Sequence, residues 1–249
     1  MKRFLSRSGS LRFLAAAFAF AMTTVSPAMA TAVTFAQYFQ SNGSQQQWTI
    51  STLGDTTTVS ASGEVYFEFS GVSGLPFSGP EAAIFTLIAT SAQEGNCVSC
   101  DSGESFVQPG YSGTFSFIDA SLGTNLLSGI FAVTGSPSTT GAQFSSSIGS
   151  SGGSFNASAT AGNLNQLELT SAYLDFIDQT QQNASWSLSS LVPMFAVDPG
   201  LPSGTFHASG SGTFSADPGP EVVPEPATLG PFGALLGFGV LRRKRSSRQ

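Results

Sequence analysis

The chain has 249 residues, of which 41% are hydrophobic and 11% aromatic, and a formal net charge of −6. That net value conceals a segregation: residues 31–241 hold all fifteen Asp and Glu but no Lys or Arg, while the nine cations occupy only the two ends. A body without cations cannot neutralise phosphates, which excludes nucleic-acid binding, and it is repelled by anionic lipid surfaces.

The first thirty residues, "MKRFLSRSGSLRFLAAAFAFAMTTVSPAMA", place Lys2, Arg3, Arg7 and Arg12 ahead of an apolar stretch from Phe13 to Val25. Ala28 and Ala30 supply the small residues that a signal peptidase requires, so residues 1–30 read as a signal peptide, cleaved after Ala30. Its apolar core is about half of the ~20 residues that a membrane span needs.

Residues 31–216 read as one domain. Apolar residues recur there with period two rather than 3.6, the signature of half-buried strands. Val65, Phe67 and Phe69 alternate in "EVYFEFS", Ala83, Phe85, Leu87 and Ala89 in "AAIFTLIAT", and Leu127, Phe131 and Val133 in "LLSGIFAV". Further on, Trp186, Leu188, Val192 and Met194 share one parity, as do Phe206, Ala208, Phe214 and Ala216. About ten such candidates fall between residues 46 and 216, separated by Gly, Pro, Asp and Ser turn signals, with no amphipathic helix among them. The pattern predicts an all-β, antiparallel β-sandwich or jelly-roll-like domain. The low-complexity stretch 135–154 predicts a long loop or a loosely paired hairpin. Twenty-two Phe supply a core and argue against disorder despite the Ser and Gly content.

Candidate chemistry is sparse. Cys97 and Cys100, as C-V-S-C in a polar loop of an exported chain, predict a local disulfide staple. A redox site would want the first Cys at a helix N-terminus, and zinc would want two more ligands. His207 lies on a strand candidate, and no G-x-S-x-G elbow accompanies it to define a nucleophile. Glu64 and Glu68 share one parity and Asp175 and Asp178 bracket a strand end. Glycosidase chemistry would use such carboxylates beside aromatic platforms, whereas Trp48 and Trp186 fit the core pattern, so a solvating role is expected for the acids. Asp101 and Glu104 lack the spacing of a calcium loop, and the N-x-S sequons at Asn42, Asn156 and Asn183 carry little weight. No catalytic residue, metal or cofactor is expected.

Residues 217–223, "DPGPEVV", read as an extended linker. The tail 224–249 then shows three parts in order: Pro224-Glu225-Pro226 after Val223, an apolar run from Ala227 to Leu241 with four glycines, and the basic block Arg242, Arg243, Lys244 and Arg245. A helix over that run reaches roughly 22 Å, short of the ~30 Å hydrocarbon core, and the basic block holds its end on the cytoplasmic side.

These three parts beside a signal peptide resemble the PEP-CTERM sorting signal of Gram-negative bacteria. The resemblance implies processing by a membrane-embedded exosortase, removal of the hydrophobic helix near the triplet, and delivery to the cell envelope or extracellular matrix. Families with this signal accompany exopolysaccharide and biofilm. For the body, whose strand-rich, Lys-free composition is like that of passenger domains carrying this signal, the expectation is a non-enzymatic surface or matrix protein. Its expected partners are signal peptidase and exosortase during export, with exopolysaccharide as a further candidate. The alternatives are a carbohydrate-binding module or weak, Ca-assisted glycan hydrolase, and a protein anchored permanently by its tail.

Overall fold

The computed structural model describes residues 32–43, 45–97, 100–132, 142–160, 166–198 and 200–223. Residues 1–30 and 224–249, with the expected cleavage residues Ala28 and Ala30, the triplet Pro224-Glu225-Pro226 and the basic block Arg242–Arg245, lie outside them, as does Val133.

The described chain is all-β and antiparallel. Its strands are β1 (Val33–Gln40), β2 (Trp48–Leu53), β3 (Thr56–Phe69), β4 (Glu81–Ser91), β5 (Ser105–Asp119), β6 (Asn125–Phe131), β7 (Ala142–Ser147) and β8 (Gly153–Thr160). They continue as β9 (Leu167–Thr170), β10 (Leu174–Asp175), β11 (Gln181–Val192), β12 (Val197–Asp198), β13 (Leu201–Pro202), β14 (Thr205–Asp217) and β15 (Glu221–Val222). Period-two alternation is clearest in β4, where Ala83, Phe85, Leu87 and Ala89 point inward and the residues between them outward.

Eleven of these strands form one sheet, and the sheet closes on itself. Three pairs of strands lie in line and act as interrupted staves. β1 and β2 run end to end along β3. β6 and β7 do the same along β5, and β8 and β9 follow them, β8 against β7 and β9 against β6. The circuit is then β1/β2, β3, β4, β5, β6/β7, β8/β9, β11 and β14, with β14 returning to both β1 and β2. Every stave pairs with its neighbour in the chain, so the arrangement is an eight-stave, up-and-down barrel. The expected sandwich or jelly roll differs from this in one respect: a sandwich leaves edges, whereas here the ladder from β14 to β1 seals them.

The interior is filled with aromatic rings. Trp48, Trp186, Tyr38, Phe67, Phe85, Phe115, Phe117, Phe155 and Phe214 are all buried and form a continuous set of ring contacts, with Phe85 and Phe117 stacked at 4.7 Å.

Parity is reset by bulges. In β5 the ladder to β7 shifts between Gln108 and Tyr111, where Pro109 and Gly110 (φ 80°) sit. In β11 it shifts between Ser189 and Val192, around Ser190 at φ 56°. This second bulge corrects the expected face of "ASWSLSSLVPMF": Trp186 and Leu188 are buried, but Leu191 turns inward after them, leaving Val192 and Met194 exposed.

Three other segments differ from expectation. β1 begins well before residue 46, and Phe35, Ala36 and Tyr38 are core residues. Within 135–154, residues 142–154 belong to a tightly laddered hairpin of β7 and β8, while 135–141 lie outside the described residues. The segment 217–223 is extended but not free: Asp217 closes β14, and Glu221 and Val222 pair with Asp175 and Leu174.

Candidate functional site

The two ends of the barrel differ. One gathers the turn at Gly54 and the connections β4–β5, β7–β8 and β11–β14, knitted by Gly95 N–H to Gly200 O (2.6 Å) and Gly149 N–H to Phe195 O (2.7 Å). The other end receives the chain at Val33, opposite Ala216, and releases it at Val223. Val223 N–H donates to Tyr173 O at 2.9 Å, so the domain holds its chain to the residue before the Pro-Glu-Pro triplet.

Cys97 and Cys100 are joined by a disulfide in the β4–β5 connection. Asn96 N–H donates to Val107 O just ahead of it, and Cys97 packs partly buried against the core. Asp101 and Glu104 close a local turn, Glu104 N–H donating to Asp101 O at 3.1 Å and Asp101 N–H to Glu104 Oε2 at 3.2 Å. That turn engages the Glu104 carboxylate locally, and among the described residues no three His, Cys, Asp or Glu gather as a metal site.

His207 projects from the outside of β14, where its Nδ1 faces Thr49 Oγ1 at 3.2 Å. Asp175 accepts from Ile177 N–H at 2.9 Å, an Asx turn that shapes the 171–180 connection. Asp119 accepts from Ser121 N–H (2.7 Å), Ser121 Oγ (2.7 Å) and Leu122 N–H (2.8 Å). These bonds, the Leu122 backbone one foremost, hold its carboxyl below the usual carboxylate range.

Two buried phenols are pushed the other way. Burial raises Tyr38 and Tyr111 far above the ordinary tyrosine value. Tyr111 O–H donates to Gln108 Oε1 at 2.6 Å, and Gln108 Nε2 donates to Thr57 Oγ1 at 3.0 Å and to Gln93 O at 2.8 Å. This is a satisfied polar inset that clamps β5 to β3 through the core.

Of the paired carboxylates, Glu64 and Glu68 have a setting that the alternation did not reveal. Both lie on the outer face of β3, and between them on that face is Tyr66. Across the β1–β3 ladder Tyr66 stands directly opposite Phe39, their ring centroids 5.6 Å apart. The rings are 41% and 40% exposed, in a chain that buries most of its aromatics. Gln37 Nε2 donates to Glu68 Oε2 at 2.8 Å, steadying that carboxylate beside the rings. An aromatic platform bounded by acids is therefore present, built from Phe39 and Tyr66 rather than from tryptophan. The sequence signal for half of it is Tyr66 at the solvent parity of "EVYFEFS"; the other half lies in a strand that the alternation left unassigned.

Chemically, this platform offers binding contacts: ring faces attract cations and the apolar faces of sugars, and carboxylates accept from hydroxyl or ammonium groups. Compared with protein-family models, curated proteins and solved structures, the chain matches none.

Proposed function

We propose that this chain is an exported, non-enzymatic surface or matrix protein, sorted by an exosortase through residues 224–249 and associated with exopolysaccharide. In this reading residues 1–30 form a signal helix that is removed and residues 227–241 a short hydrophobic helix that holds the precursor in the inner membrane. The observation that carries the proposal is the order Val223-Pro224-Glu225-Pro226, apolar run, basic block, on a body with no other Lys or Arg. The fold supports it in two ways. A barrel packed solid with aromatic rings suits a passenger that must persist outside the cell. The hydrogen bond at Val223 also leaves the triplet as the next residues after the domain, where a membrane protease meets it at the domain's edge.

Mass spectrometry of the mature C-terminus, in cells with and without exosortase, tests the reading. An end near Pro224–Pro226 that depends on the exosortase supports it. A peptide extending through Arg245 defeats the sorting step and leaves an anchored protein, and turnover of a glycan or ester by the purified protein at ordinary enzymatic rates defeats the non-enzymatic role.

A further inference from the structure

We infer that the outer face where β1 meets β3 binds a glycan bearing protonated amino groups. Phe39 and Tyr66 lie opposite each other in the ladder, at 40% and 41% exposure, with their ring planes tilted by 37°, and the exposed Ile84 stands beside Glu64 on the same face. On the far side of Tyr66, in the β3–β4 ladder, stands the exposed Ala82, whose methyl group is too short to cover the ring. Centroids 5.6 Å apart give a platform about as wide as a sugar ring and its linkage.

The flanking charges select the ligand. Glu64 and Glu68 are two residues to either side of Tyr66 on the same face, which places each about 7 Å from it along the strand. Residues 31–241 offer these carboxylates no Lys or Arg. The negative ring faces and the carboxylates favour the same cation, and their combined field repels uronic acids and phosphate-bearing polymers. A simple amine would meet the acids and the ring faces with its charge alone and lay no C–H surface on the rings. An amino sugar uses both, its C–H face on the rings and its ammonium and hydroxyl groups toward Glu64, Glu68 and Gln37.

This inference rests on the proposed delivery of the barrel to a polysaccharide-containing surface, but binding is measured independently of the fate of the tail. The full-length chain in mild detergent is titrated by calorimetry with a glucosamine hexasaccharide, its fully N-acetylated counterpart and a galacturonate oligomer. The glucosamine oligomer is expected to bind, the acetylated one at least about tenfold more weakly, and the uronate not at all, because ammonium supplies the cation–π and carboxylate contacts. Tyr66→Ser and the pair Glu64→Gln with Glu68→Gln each weaken binding about tenfold, and Tyr66→Phe, which keeps the ring, retains it. Asp55→Asn, an exposed acid in the β2–β3 turn, is the control for overall charge. No binding of the glucosamine oligomer, equal binding of the acetylated form, an unaltered Tyr66→Ser, or an equal loss in Asp55→Asn each overturns the inference. Circular dichroism confirms that the outward-facing variants remain folded.

Discussion

Trp48 and Trp186 meet edge to face, 6.2 Å between centroids, although they come from β2 and β11, which flank β14 on opposite sides. They meet because β14 carries glycine at both levels, Gly210 against the Trp48 indole and Gly212 against Trp186 and Tyr38. A Cβ on Gly212 would stand 2.6 Å from Tyr38 Cε1 and 2.9 Å from Trp186 Cδ1, so hydrogen is the only side chain that leaves room for the rings. The packing of three staves thus converges on a position with no side chain of its own.

Overpacking that position is costly. Gly212→Val should destabilise the barrel by about 1–3 kcal/mol and Trp186→Ala by about 3–5 kcal/mol, the second through a large cavity. Urea unfolding followed by tryptophan fluorescence measures both. A Gly212→Val midpoint equal to the parent's would mean that the rings have room to shift.

Asp119 makes the acid limb of stability sensitive to one loop. Its carboxyl titrates below the usual range in the folded state, so its stabilising contribution is complete above the unfolded value near 4 and is lost as pH falls through the lowered folded value. Between pH 5 and pH 2 the parent should lose more melting temperature than Asp119→Asn, whose side chain cannot titrate. Parallel losses in calorimetric scans would assign acid unfolding to other carboxylates.

The buried phenols set the alkaline limb. Tyr38 and Tyr111 are raised, so the stability linked to them is intact below the unfolded value near 10 and is lost as pH rises beyond it. In an absorbance titration at 295 nm, Tyr38 and Tyr111 should ionise only together with unfolding. Their reversible ionisation in the folded protein would contradict the packing.

The disulfide closes so short a loop that its removal is mild. Cys97→Ser with Cys100→Ser should cost no more than about 2 kcal/mol by loop-closure entropy and leave the barrel's circular dichroism unchanged. Loss of the folded state would show that the staple holds the β4–β5 connection against the core at Asn96 and Val107.

Most of the wall was legible as alternation, because an inward residue every second position is what any half-buried strand needs. Closure was not legible: the inner face of a sandwich and the inner face of a barrel give the same pattern. The bulge at Ser190 escaped because nothing in "SLSSLVP" requires a serine to adopt φ 56°, and the exposure of Val192 and Met194 followed from it. β15 is two residues long and set among prolines, so its pairing with β10 depends on a partner far away in sequence. The aromatic platform was half visible, since Tyr66 stands at a polar parity between two glutamates while Phe39 gains meaning only from the register that sets it opposite.

The ladder joining Val33 to Ala216 links the beginning of the domain to its end. Local hairpins can zip early, but the final seam must wait for β14, and its loop-closure cost falls late and all at once. Until then β1 and β2 are an open edge able to recruit β14 from a second chain. Under the proposed sorting, the hydrophobic run that follows Pro226 detains each molecule just behind β14, so that it completes its own seam while held apart from its neighbours.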